Sequence, residues 1–147
     1  MLFRSGAAAI ARGRWAKAAH EKIVQAIFET VGLVVSVREK DMDAVTALSG
    51  SGPAYLFYLA EAMQNAGTRM GLTPHVAEGL VRQTLKGAGA LLAGSHEEPR
   101  TLRQRVTSPG GTTEAAVNVL EKAGVRSSIT KAIQRAQRRA RELASAY

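Results

Sequence analysis

From Asp41 onward, apolar residues recur at helical spacing, and the pattern is interrupted only by stretches rich in Gly, Ser and Pro. Tyr55, Leu56, Phe57, Leu59, Ala60, Met63, Ala66 and Met70 cover more than one face, the pattern of a helix central to a core or to a subunit interface. Thr73 and Pro74 supply a cap and a first-turn proline for the next helix, which runs to about Ala93. Its apolar face is Val76, Leu80, Val81, Leu85, Ala88, Leu91 and Leu92. Gly79, Gly87 and Gly89 each cost it roughly 1 kcal/mol against Ala, which is tolerable where another helix approaches closely. A polar loop over residues 94–99 leads into a brief helical turn with Leu102 and Val106. Ala123-Gly124-Val125 ends a later helix in the manner of a Schellman motif. Along the last helix Ile129, Ala132, Ile133, Ala136, Ala140, Leu143 and Ala144 stay in register, with arginines opposite. Such a chain is mainly α, a bundle of about five helices beginning near residue 41. The apolar surplus on residues 55–70 points to completion by a second copy.

The first 40 residues read differently. Residues 17–31 form an amphipathic helix with Ile23, Ala26, Ile27, Phe28 and Val31 at helical spacing, and Gly32 stands where helices commonly end. Leu33-Val34-Val35-Ser36-Val37 is short, β-branched and bounded by Gly32 and the charged run 38–41, so it reads as a strand. No strand is read before it. One strand leaves both edges unpaired, so this front piece is the closing unit of a larger α/β sheet that a missing segment or a partner supplies. Arg4, Arg12, Arg14 and Lys17 all precede the first acid, Glu21, which is also a feature of targeting presequences. The apolar stretch 7–11 is short for that purpose, and the segment is read as folded.

Composition excludes several classes. With no cysteine there is neither a disulfide framework nor a thiolate metal site, and His20, His75 and His96 stand far apart without an i, i+4 partner, so no metal is expected. The longest apolar run, residues 53–60, ends at Glu61 and is too short to span a bilayer. Residues 101–147 carry nine Lys or Arg against three Glu, much of the net charge of +8. That balance attracts nucleic acid in principle. Arg135, Arg138, Arg139 and Arg141 lack interleaved aromatics, however, and read better as a solvated helix face.

The residues suited to chemistry lie at Ser108-Pro109-Gly110-Gly111-Thr112-Thr113. Pro109 fixes φ and lacks an N–H, Gly110 and Gly111 permit a tight turn with exposed amides, and a helix follows from Glu114. Free amides at a helix start suit a carboxylate or phosphate, and Thr112 and Thr113 add hydroxyls at the same mouth. In isolation such a stretch reads more simply as a Gly-rich loop with a Thr cap. The second break, Ser49-Gly50-Ser51-Gly52-Pro53, reads in isolation as a helix junction, with Ser51 as cap and Pro53 in the first turn.

Taken together, residues 43–55 and 105–116, in this order and at this distance, resemble the pyrroline-5-carboxylate reductase family, and the similarity runs from about Gly6 to the C-terminus. The resemblance implies NADPH- or NADH-dependent reduction of 1-pyrroline-5-carboxylate to L-proline in a cytoplasmic homodimer or larger homo-oligomer, without nucleic-acid or membrane partners. It implies a dimerisation domain of the 6-phosphogluconate-dehydrogenase C-terminal type over residues 41–147, preceded over 1–40 by the last helix and strand of a nucleotide-binding domain. It places Thr113 beside the imine nitrogen, for hydrogen bonding and proton delivery. Gly110 to Thr113 would hold the substrate carboxylate, and Ser108, Pro109 and Thr112 would shape the pocket. Ser49, Gly50, Ser51 and Gly52 would meet the nicotinamide or substrate from the other side. One family feature is absent from the sequence: the Gly-x-Gly-x-x-Gly turn that cradles a pyrophosphate, since the only glycines before residue 30 are Gly6 and Gly13. The chain is therefore expected to be the C-terminal part of such a reductase, inactive by itself, with a non-catalytic assembly module and a basic nucleic-acid binder as alternatives.

Overall fold

A computed structural model describes residues 6–145, so the basic start at Arg4 and the last two residues of the expected domains lie outside it. Its elements are β1 (Gly6–Ile10), α1 (Ala18–Glu29), β2 (Gly32–Ser36), α2 (Met42–Val45), α3 (Gly52–Arg69), α4 (Pro74–Gly94), α5 (Pro99–Arg105), α6 (Thr112–Lys122) and α7 (Val125–Ala144). The fold is mainly α, as the periodicity predicts. Among the described residues no helix is long and apolar enough to cross a membrane. The chain forms two compact units, one up to Pro53 together with the segment from Lys131, the other Ala54–Thr130.

In the first unit β1 and β2 pair in parallel, with Gly6 opposite Gly32 and Ile10 opposite Ser36. The expectation of a single strand is thus corrected: α1 is the crossover of a complete βαβ unit. Alanine has little preference for strands, so Gly6-Ala7-Ala8-Ala9-Ile10 gives no strand signal until β2 pairs with it. At the start of α1 His20 Nδ1 accepts the Lys17 amide at 3.3 Å, and at its end the Thr30 hydroxyl donates to the Ile27 carbonyl at 2.7 Å. After β2, Arg38 grips Asp41 through Nε at 2.6 Å and Nη2 at 3.2 Å, ahead of α2. That hydrogen bond holds the Asp41 carboxyl below the usual carboxylate range. Arg141 on α7 reaches Asp43 on α2 at 3.5 Å.

In the second unit Thr73 Oγ1 accepts the Val76 amide at 3.4 Å and Pro74 occupies the first turn of α4, as the sequence predicts. Within one chain the close helix approach is at Gly67. Gly79, Gly87 and Gly89 have nothing within 4 Å of where a Cβ would sit, whereas at Gly67 a Cβ would lie 3.2 Å from Ala77 Cβ. Gly67 therefore lets α3 and α4 touch. Beside that contact Met63, Met70, Leu72, Leu80 and Val81 line an apolar cleft of about 300 Å³. Only Ala47, Ala77 and Val81 are buried apolar residues among those described, while Phe57 and Tyr58 are 71% and 77% exposed. Most of the apolar helix surface is therefore uncovered in one chain. Glu61, inside that apolar stretch, is exposed.

Candidate functional site

The bend is suspended between α5 and α6. Past Arg105 the chain tightens, with the Val106 amide donating to the Arg103 carbonyl at 3.2 Å and the Thr107 amide to the Gln104 carbonyl at 3.1 Å. The Thr107 hydroxyl also donates to the Arg103 carbonyl, at 2.7 Å. Ser108, Pro109 and Gly110 are exposed, and Gly110 takes a φ of +71°, which L side chains adopt only with strain. At Gly111 a Cβ would stand 2.4 Å from Ser108 Oγ and 3.0 Å from the Ser108 carbonyl oxygen, so a side chain there would require the Ser108 hydroxyl to turn away and the backbone to give by a few tenths of an ångström.

The expected free amides are redistributed. Gly111 donates to the Ser108 carbonyl at 3.0 Å, and Gly110 donates to Glu114 Oε2 at 2.8 Å. The reading of Gly110 and Gly111 as unpaired donors is therefore corrected. Both are spent on the turn because a carboxylate three residues past the cap reaches back, as in a capping box. The helix cap is Gly111 and no side chain bonds to it, so the Thr cap of the simpler reading is not formed. The amides of Thr112, Thr113 and Glu114 have no acceptor among the described residues, and they are the donors left at this helix start. Thr113 is half-buried and Thr112 exposed.

An ion-pair cluster braces the bend from behind. Glu121 on α6 accepts from Arg103 Nη1 on α5 at 3.1 Å and from Arg126 at the start of α7, with Nε at 3.3 Å. With Arg100 these groups line a polar cleft of about 470 Å³. The Arg126 hydrogen bond, with the charges of both arginines, holds the Glu121 carboxyl below its ordinary range. Neither this cluster nor the role of Glu114 is among the sequence-level expectations. For Glu114 a signal was present, an acid at the third helical position after the glycine cap.

The Ser49–Gly52 stretch belongs to the other compact unit. It is the end of a wide helical turn over residues 46–50, closed by the Ser51 amide donating to the Thr46 carbonyl at 2.8 Å. Pro53 falls in the first turn of α3 as expected, Ser49, Ser51 and Gly52 are half-buried, and Gly50 is exposed.

The turn after β1 does not fit a dinucleotide. A pyrophosphate needs a glycine-rich turn that opens onto free helix amides. Residues 11–17 hold one glycine, Gly13. Arg12 pairs with Glu21 at 3.1 Å, and Arg14 stacks 4.9 Å from the centre of the Trp15 ring.

Comparison with known proteins agrees with this layout. The sequence profile described as pyrroline-5-carboxylate reductase dimerisation matches residues 39–143. The pyrroline-5-carboxylate reductase of Synechocystis sp. is 45% identical over 139 residues, covering 95% of this chain and 52% of that protein. That of Mycobacterium tuberculosis is 40% identical, covering 97% of this chain and 54% of the relative. Among solved structures, the Coxiella burnetii pyrroline-5-carboxylate reductase aligns with a TM-score of 0.90 at 41% identity, covering 95% of this chain and 52% of that one. The Plasmodium falciparum pyrroline carboxylate reductase, solved with NADP bound, aligns with a TM-score of 0.80 at 30% identity, over 90% of this chain and 54% of that chain. The chain spans about half the length of the curated relatives it matches. With a matched region running from the charged turn after β2 almost to the end of α7, the chain belongs to the pyrroline-5-carboxylate reductase family, whose dimerisation domain it carries.

Proposed function

We propose that the chain is the C-terminal portion of a pyrroline-5-carboxylate reductase, serving NAD(P)H-dependent reduction of 1-pyrroline-5-carboxylate to L-proline, and that by itself it binds the substrate without turning it over. The observation that carries this is the helix start at Thr112, where three amides and two threonine hydroxyls surround a turn fixed by Gly110 and Gly111. The amides of Thr112, Thr113 and Glu114 hold the ring carboxylate. The Thr113 hydroxyl hydrogen-bonds the ring nitrogen and lies on the proton's route to it. Ser108 and Pro109 shape the pocket at this turn, and Ser49, Gly50, Ser51 and Gly52 are assigned to contact with the nicotinamide. Because residues 11–17 do not fit a pyrophosphate, the hydride donor is held by residues other than those of this turn. The exposed apolar faces of α3 and α4 are covered by a second copy, in a homodimer or a larger homo-oligomer. The protein is read as cytoplasmic, and the lack of cysteine fits a reducing compartment.

Calorimetric titration of proline into the wild type and Thr113→Ala tests the site. Measurable binding that Thr113→Ala weakens is expected, and equal affinities or none in either would discard it. An NAD(P)H oxidation assay tests the silence of the chain alone; turnover without added full-length reductase would contradict it. A purely assembling role is the second reading, favoured by the uncovered apolar surface, and it predicts dimers that do not bind proline. A nucleic-acid role has less support: Arg135 and Arg139 both pair with Glu142, Arg126 with Glu121 and Arg141 with Asp43.

A further inference from the structure

We propose that Glu114 is a positioning and specificity-determining residue of the carboxylate site, locking the bend through Gly110 and penalising ligands that bring a second negative charge. The inference rests on reading residues 108–113 as the carboxylate site. Two observations carry it. The Glu114 carboxylate accepts the Gly110 amide at 2.8 Å, and Gly110 is the residue held at a φ of +71°. The same carboxylate belongs to the third residue of α6, so a full negative charge sits at the helix start whose remaining amides would receive the ligand.

These two roles separate chemically. As a hydrogen-bond acceptor, Glu114 fixes the one left-handed residue in the turn, and the neutral amide oxygen of a glutamine can do the same. As a charge, it partly cancels the positive end of the helix and repels an incoming anion. Like charges a few ångströms apart in wet surroundings lower affinity by about threefold to tenfold per unit of ligand charge. The penalty grows with that charge. A monocarboxylate on a small ring is admitted, and a ligand with two carboxylates at the same position is disfavoured by about the square of the factor. The ligand class that follows from the charge of Glu114 carries one carboxylate and no second anionic group beside it.

The test uses the whole chain and the variants Glu114→Gln and Glu114→Ala. The probes are proline, cyclopentanecarboxylate and cyclopentane-1,1-dicarboxylate, titrated by calorimetry, and the Gly110 amide is followed by hydrogen exchange. Glu114→Gln is expected to bind cyclopentanecarboxylate about threefold and the dicarboxylate about tenfold more tightly than wild type, with proline, whose ring ammonium offsets its carboxylate, little changed and Gly110 still protected. Glu114→Ala is expected to expose the Gly110 amide to faster exchange and to bind proline less tightly than Glu114→Gln. If wild type binds proline but Glu114→Gln leaves the preference for one carboxylate over two unchanged, the specificity role is overturned and the site stands. If Gly110 exchanges equally fast in wild type and Glu114→Ala, the positioning role is overturned. If no form binds any probe, the site falls, and this inference with it.

Discussion

Arg103 on α5 and Glu121 on α6 are joined at 3.1 Å across 18 residues of sequence, so the two helices flanking the bend are fastened to each other on the far side of it. Glu121→Ala removes the acceptor shared by Arg103 and Arg126 and so unfastens α5 from α6. The pairs are exposed, and surface pairs contribute little to global stability. The melting temperature is expected to fall by no more than about 3 °C. Proline affinity should fall several-fold through loss of preorganisation. A variant with unchanged affinity would show that the brace plays no part in holding the site.

Acid should loosen this cluster and two separate ion pairs. The carboxyls of Asp41, Glu121 and Glu142 lie below their ordinary ranges, through hydrogen bonds from Arg38, Arg126 and Arg139 respectively. A carboxylate with a lower pKa folded than unfolded stabilises the fold wherever it is ionised in both states. The contribution is therefore complete above the ordinary values of 3.8 and 4.5, and it is lost as pH falls through the lowered ones. Thermal unfolding followed from neutral pH into acid should show a flat region and then a decline, shallower with added salt. A melting temperature that rises on acidification would contradict this.

Gly110→Ala forces a methyl-bearing residue to a φ of +71°. The expected loss is roughly 1–2 kcal/mol in urea unfolding, together with weaker proline binding. Asparagine tolerates this conformation better than most residues, so Gly110→Asn should lose less. Equal losses in the two variants would mean that backbone conformation is not what the glycine supplies.

Phe57 and Tyr58, at 71% and 77% exposure, are large apolar groups left open on α3. Phe57→Asp and Tyr58→Asp should move the assembly toward monomer in sedimentation velocity, since a charge cannot be buried unpaired at a subunit interface. Unchanged sedimentation would show that these side chains face solvent in the assembled protein.

The helices were legible because their signals are local: Thr73 with Pro74 for the start of α4, Gly124 at a φ of +67° for the end of α6. β1 was not, since its alanines carry no preference and its strand character comes from pairing with β2. Proline and two glycines announce a turn at residues 108–113, but composition does not assign its hydrogen bonds. The acceptor for Gly110 is a side chain four residues on, whose reach depends on how the helix begins. Gly79, Gly87 and Gly89 are open within one chain and its close helix contact forms at Gly67, because close approach depends on which faces meet and not on how many small residues a helix holds.

With Ala47, Ala77 and Val81 the only fully buried apolar residues among those described, a single copy leaves many large apolar side chains open, and covering them by a second copy would help offset the entropy of ordering the backbone. Folding and association are then expected to be coupled. Diluting the protein should lower its melting temperature, refolding should slow as concentration falls, and the chain has no intrinsic stability that can be stated without naming how much of it is in the tube.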